Sequence, residues 1–230
     1  MNIAVILAGG TGQRLDNNLP KQFYILGNKM VIEHSIEIFQ NHPDIDEIAV
    51  VSNSMYIKDI KEICSKNGYF KVRKMLAGGA ERYQSSLTAI NAYNDPDANI
   101  LIHDAVRPLV NTRIISDCIE KLKHYNAVNV GVTPSDTVLQ VSDSDIITGM
   151  PFRNTLRNGQ SPQGFKLGII KKAYEMALKD PDFKTTDDCS VVFNYLPGEQ
   201  IYVVKGESYN MKLTFREDLY SLEKWLKSER

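Results

Sequence analysis

At 230 residues, 43% of them hydrophobic and 24% charged, the chain is long enough for one substantial core, and its composition excludes long disorder and a fibrous repeat. The 27 basic and 28 acidic residues nearly cancel, so no overall field exists to hold a polyanion, and nucleic acid is not an expected partner. Met1 to Gly10 lacks the layout of a signal peptide and no later run approaches membrane-spanning length, which predicts a soluble, cytoplasmic protein with no membrane partner.

The first strand is predicted at Ile3 to Ala8, followed by a glycine-rich turn and a helix over Val31 to Gln40. A strand at Glu47 to Ser52, a helix over Met55 to Lys66 and a strand near Val72 to Leu76 complete a βαβαβ opening. Glu81 to Tyr93 reads as helix, Asn99 to His103 as a buried strand, Thr112 to Tyr125 as helix and Ala127 to Thr133 as strand. Val- and Ile-rich runs alternating with helical periods are the pattern of a mostly parallel, Rossmann-like α/β sheet flanked by helices.

From Ser135 to Gln163 the text turns polar, with two short β-like pieces near Thr137 to Val141 and Asp145 to Thr148. This predicts an arm or hairpin excursion from a single domain covering 1–230. Helices follow at Lys166 to Leu178 and Asp187 to Tyr195, then a strand near Gln200 to Val204 and a final helix over Arg216 to Lys227. Cys64, Cys118 and Cys189 are scattered and lack metal-ligand spacing, so they read as reduced thiols, with packing the role of Cys64 and Cys118.

Leu7-Ala8-Gly9-Gly10-Thr11-Gly12-Gln13-Arg14 follows the first strand, where an open α/β sheet places its ligands. Glycines let a backbone approach a triphosphate and present N–H donors to it. Arg14 and Lys21 add two cations on the same loop; a tight turn with solvated charges is the alternative. The spacing matches neither a P-loop nor the dinucleotide fingerprint.

Ala8-Gly9-Gly10 through Arg14, with Pro20-Lys21-Gln22, resembles the signature of the sugar-phosphate cytidylyltransferases, which include methylerythritol-phosphate and ribitol-phosphate enzymes. The similarity continues in Gly78-Gly79-Ala80-Glu81-Arg82 with Ser85, in His103-Asp104-Ala105-Val106-Arg107-Pro108, in Arg153 before Gln160-Ser161-Pro162-Gln163, and in Asn210-Met211-Lys212-Leu213-Thr214. Five ordered blocks span nearly the whole chain.

The resemblance implies transfer of CMP from CTP to a small polyol phosphate. It gives Leu7, Ala8, Gly9, Gly10 and Gly12 to the triphosphate, Gly79, Arg82 and Ser85 to the cytosine, and Asp104 to a Mg2+ near the α-phosphate. A turn cap is the other reading of Asp104, and a plain helix start that of Ala80 to Arg82. The acceptor's phosphate, with a second pKa of about 6, is already largely ionised at neutral pH, so the attack needs no general base. Charge stabilisation then falls to Arg14, Lys21 and Lys212, the candidate catalytic residues. His103 reads as a structural hydrogen-bonding residue.

By the same resemblance Arg153 grips the acceptor's phosphate, with Asp136, Thr137 and Thr186 beside it, although an N-cap explains Thr186 and Asp187 equally well. The excursion forms a homodimer arm in the family and can carry Arg153 to a neighbouring site. Pro151-Phe152-Arg153 and Gly159-Gln160 are closer to the ribitol branch, so D-ribitol 5-phosphate is the expected acceptor, yielding CDP-ribitol for teichoic acid or capsule assembly. The alternative is 2-C-methyl-D-erythritol 4-phosphate, for isoprenoid biosynthesis. Rivals are a uridylyl- or thymidylyltransferase for hexose phosphates and a catalytically inactive nucleotide-sensing module.

Overall fold

A computed structural model describes residues 1–10 and 19–228. Strand β1 (Asn2–Ala8) is followed by a 3-10 turn at Lys21–Phe23, a small hairpin of β2 (Ile25–Leu26) and β3 (Lys29–Met30), and helix α1 (Val31–Asn41). Next come β4 (Glu47–Ser52), α2 (Ile57–Lys66), β5 (Val72–Ala77), α3 (Arg82–Asn91), β6 (Asn99–Asp104), α4 (Thr112–Lys121) and β7 (Ala127–Val132). A two-stranded excursion of β8 (Gln140–Val141) and β9 (Ile147–Gly149) leads into β10 (Asn158–Lys166). The chain closes with α5 (Leu167–Ala177), α6 (Asp188–Tyr195), β11 (Ile201–Lys205) and α7 (Glu217–Ser228).

Seven strands form one sheet in the order β11-β7-β10-β6-β1-β4-β5. β10 alone runs antiparallel to its neighbours, so the α/β, mostly parallel expectation holds. In β1 every residue from Ile3 to Ala8 is buried, because helices cover both faces. Successive side chains of a strand point to opposite faces: Ala4 and Ile6 pack with Ile36, Phe39 and Ile115, and Ile3 and Val5 with Ile90, Ile170 and Val192. Burying each such Ile contributes roughly 1.5–3 kcal/mol, which makes β1 a firm base for the loop that follows it.

The expected excursion of 135–163 is shorter. Residues 158–166 form β10, inserted between β6 and β7 and buried from Gln160 to Phe165. Its polar text and Pro162 argue against a central strand. Pro162 is accommodated because the β10–β7 register shifts between Gln160 and Gln163. The polar side chains are satisfied inside: Gln160 donates to the Glu207 carbonyl at 2.8 Å, and Gln163 Oε1 accepts from Asp188 N–H at 3.0 Å. Because β10 is antiparallel, its first residues lie at the carboxyl ends of β6 and β7, and the excursion leaves and returns at that edge.

Candidate active site

The carboxyl ends of β1 and β6 open into a cleft of about 380 Å³. It is lined by Leu7 to Gly10, Lys21, Gln22, Gly79 to Arg82, Ser85, Asp104, Val106, Lys212 and Leu213. Every described residue expected to bind nucleotide or carry catalysis therefore meets there. Gly12 and Arg14 lie outside the described residues.

Local chemistry fixes each wall. The Ala8 carbonyl, at the end of β1, accepts from Gln22 Nε2 at 2.7 Å and from Ser52 Oγ at 3.3 Å. A Cβ on Gly78 would stand 2.6 Å from Ser85 Oγ, and one on Gly79 only 2.3 Å from the Gln84 Cβ, so this approach to the helix start requires glycine. The Gln84 side chain accepts from Glu81 N–H at 3.1 Å, closing the cap of α3 and facing its N-terminal turn to the cleft. Such a turn offers N–H donors to anions.

Asp104 is the electrostatic centre. Arg82 Nε lies 3.3 Å from its Oδ1, while Lys212 Nζ and Arg107 Nε lie 3.0 and 3.7 Å from Oδ2. Burial opposes its ionisation, but Arg82, Lys212 and Arg107 outweigh that and hold the carboxyl well below its ordinary range. Arg82 also reaches a second carboxylate, Asp188 Oδ2, at 2.7 Å. Burial lowers the pKa of Arg82, but Asp188 and Asp104 raise it beyond its ordinary value.

Beneath Asp104 runs a buried polar chain. The Arg107 carbonyl can only accept, so His103 Nε2 donates to it at 3.1 Å, and His103 Nδ1 accepts from the Ser161 hydroxyl at 3.0 Å. Ser161 Oγ in turn accepts from Asp104 N–H at 3.1 Å. Burial pushes His103 down to about 4, so it stays neutral and serves as a hydrogen-bonding strut, as expected. Asn210 Nδ2 donates to the Ser161 carbonyl at 2.9 Å, and Arg107 Nη1 donates to the Asn210 carbonyl at 2.8 Å.

Those bonds seat segment 210–214 across the cleft. Lys212 points to Asp104, and the Thr214 carbonyl accepts from Lys21 Nζ. Asp218 Oδ2 accepts from the N–H groups of Thr214 and Phe215, both at 2.7 Å, holding the segment against α7. The two lysines are thus brought to one wall from positions far apart in sequence.

Asp136, Thr137, Arg153 and Thr186 do not line this cleft and are exposed. Arg153 Nη1 donates to the Ser135 carbonyl at 2.8 Å, within the excursion. Asp187 caps α6, accepting from Ser190 N–H at 2.8 Å, while its neighbour Asp188 reaches the site through Arg82. The sequence reading missed Asp188, which directly follows the Thr186 and Asp187 it named, and assigned no role to Arg107, which stands inside the block His103 to Pro108.

Among the described residues no group of three or more His, Cys, Asp or Glu is placed to hold a metal ion. Magnesium needs only one or two protein carboxylates when phosphates and waters supply the rest. Asp104, whose two oxygens already face Arg82, Arg107 and Lys212, does not build a metal site unaided; it can supply one ligand to a metal that arrives on a triphosphate and displaces one of these cations. Among the described residues no helix is long and apolar enough to cross a membrane.

A profile of the 2-C-methyl-D-erythritol 4-phosphate cytidylyltransferase (IspD) family matches residues 2–228. The chain belongs to this family. The family's namesake from Thermobifida fusca is 42% identical, over 98% of this chain and 93% of its own length. The bifunctional ribulose 5-phosphate reductase/CDP-ribitol pyrophosphorylase Bcs1 of Haemophilus influenzae is 44% identical over 99% of this chain. The chain spans about half (48%) of that protein's length. The crystal structure of 4-diphosphocytidyl-2C-methyl-D-erythritol synthase from Anaerococcus prevotii superimposes with a TM-score of 0.86, at 28% identity and with 98% of both chains covered. This family member is a cytidylyltransferase acting on a sugar-alcohol phosphate, as the resemblance implied.

Proposed function

We propose that the chain transfers CMP from CTP to 2-C-methyl-D-erythritol 4-phosphate and releases pyrophosphate. The observation that carries this reading is the full-length match to a family of that name, supported by a cleft in which Lys21, Lys212 and Asp104 converge. D-ribitol 5-phosphate, expected from the segment around Arg153, becomes the second reading. It keeps its place because of the 44% identical CDP-ribitol pyrophosphorylase relative.

In this mechanism Gly9, Gly10 and the start of α3 present N–H groups to CTP, and Gly79 and Ser85 frame the cytosine. Arg82 stiffens that frame through Asp104 and Asp188. A phosphate oxygen of the acceptor attacks the α-phosphorus, the bond to the bridging oxygen breaks, and pyrophosphate leaves with that oxygen. Lys21 and Lys212, joined by Arg14 and Gly12 on motif grounds, offset the charge that builds on the α-phosphate. Mg2+ bound with CTP at Asp104 would neutralise further phosphate charge.

The same reading makes residues 1–230 one catalytic domain, cytoplasmic, and active as a homodimer. The excursion exposes Val138, Leu139, Val141, Ile146, Ile147, Met150 and Phe152, the last 86% exposed. Seven exposed large apolar side chains in one short segment favour a covering partner, and a second copy would bring Asp136, Thr137 and Arg153 toward the neighbouring chain's site.

Pyrophosphate release is measured with CTP and magnesium, offering the two acceptors in parallel. Faster turnover of the methylerythritol phosphate is expected. Faster turnover of ribitol 5-phosphate reverses the two readings, and a preference for UTP over CTP contradicts cytidylyl transfer.

A further inference from the structure

Arg82 holds two carboxylates at once. Its Nε donates to Asp104 Oδ1 at 3.3 Å and its Nη1 to Asp188 Oδ2 at 2.7 Å. Asp188 is fully buried, and a buried carboxylate is tolerated only when paired and hydrogen-bonded. Its other oxygen, Oδ1, accepts from the Tyr174 hydroxyl at 2.6 Å. Its backbone N–H donates to Gln163 Oε1 at 3.0 Å, and it opens α6. Asp188 therefore cannot turn away from Arg82 without leaving several polar groups unpaired in the interior.

The consequence lies at Asp104. Its Oδ2 faces Lys212 at 3.0 Å and Arg107 at 3.7 Å, and only Oδ1 faces Arg82. A guanidinium prefers to grip a carboxylate with two parallel N–H donors. Without Asp188, nothing restrains Arg82 from rotating fully onto Asp104 and competing with Lys212 for Oδ2. The helix start that carries Arg82 also carries Gly79 and Ala80, so this rotation would disturb the nucleotide wall.

We propose that Asp188, braced by Tyr174, is a positioning residue that restrains Arg82 and so leaves Asp104 Oδ2 to Lys212 on the nucleotide wall. This rests on the reading of the Arg82–Asp104 wall as the CTP site. The contacts it controls, Arg82 to Asp104, lie on the nucleotide wall.

The test compares Asp188→Asn, Asp188→Glu, Tyr174→Phe and Arg82→Ala with the parent enzyme. Each is assayed for KM and kcat with respect to CTP and acceptor, for CTP binding by calorimetry, and for thermal unfolding. Asp188→Asn is expected to raise the CTP KM and Kd about tenfold while the acceptor KM stays within about twofold. Asp188→Glu restores most of the loss, and Tyr174→Phe, which keeps the charge but removes the brace, raises the CTP KM about two- to threefold. Should Asp188→Asn fail to fold, Tyr174→Phe decides alone. An unchanged CTP KM in Tyr174→Phe, or equal losses toward both substrates in Asp188→Asn, overturns the proposal, provided Arg82→Ala weakens CTP binding. If Arg82→Ala leaves CTP binding intact, the nucleotide-site reading itself fails.

Discussion

Lys212 Nζ stands 3.0 Å from Asp104 Oδ2, a contact that spans 108 positions of sequence and joins the C-terminal segment to the end of β6. The lysine side chain is 44% exposed, so the pair contributes at most about 1 kcal/mol to stability. Its placement is better explained by what it faces, a cleft with glycine-rich walls and a second lysine.

Lys212→Met should therefore leave the unfolding midpoint nearly unchanged while kcat falls about 100-fold or more, the loss typical when one charge-stabilising donor is removed. Circular dichroism melts and initial-rate assays on the same preparation check this. Lost stability with retained turnover would make the lysine structural.

Lys21→Ala should act on the chemical step in the same way. Because Lys21 also donates to the Thr214 carbonyl, removing it frees one anchor of segment 210–214 as well. We expect kcat to fall at least about 100-fold with the acceptor KM within about threefold. If only the acceptor's apparent affinity falls, Lys21 belongs to the acceptor pocket.

Gly9 and Gly10 were legible because their signal is local: an apolar strand, then glycines at its end. The wall at Asp104 was legible only through the ordered motif blocks, because Arg82, Asp104 and Lys212 come to it from distant positions. β10 was not. Gln160, Ser161 and Gln163 look like loop text, and only long-range partners (Glu207, His103 and Asp188) make their burial tolerable. Asp188 was hidden for a related reason. It adjoins Asp187, whose capping role is local, whereas its own partner Arg82 lies 106 residues away. The acceptor residues remained open because the excursion that bears most of them makes few contacts with the rest of its own chain.

His103 gives a pH prediction with a defined sign. Its folded value, lowered by burial to about 4 from an ordinary 6.5, means that the unfolded chain binds the extra proton first. The neutral ring's contribution is complete above about pH 6.5 and is lost progressively as pH falls toward 4, by on the order of 2–3 kcal/mol. Asp104, held low by its cations, keeps its contribution above its ordinary 3.8 and loses it only as pH falls further, so it does not confound this window. His34 and His42 are also lowered by burial, so the comparison must be with His103→Gln, which retains their share. Urea unfolding between pH 7 and 4.5 should show a steeper loss in the parent than in the variant; parallel curves would contradict a neutral, buried His103.

A shared active site makes the strongest prediction. If the excursion carries Arg153 into the neighbour's cleft, Arg153→Ala and Lys21→Ala damage different halves of each site. Each variant alone should be nearly inactive. Unfolded together in urea and refolded at equal concentration, they would form mixed dimers, in which one site inherits both lesions and the other inherits none. Random pairing makes half of the dimers mixed, so activity should return to about a quarter of the parent's. Sedimentation or light scattering on the same mixture would confirm the dimer. A dimer without recovery places Arg153 at its own chain's site, while a monomer with full parental activity removes the arm from catalysis altogether. The exposed apolar side chains make an independent check: Phe152→Asp, which puts a charge on that exposed ring position, should shift the equilibrium toward monomer and lower activity in proportion to the dimer lost.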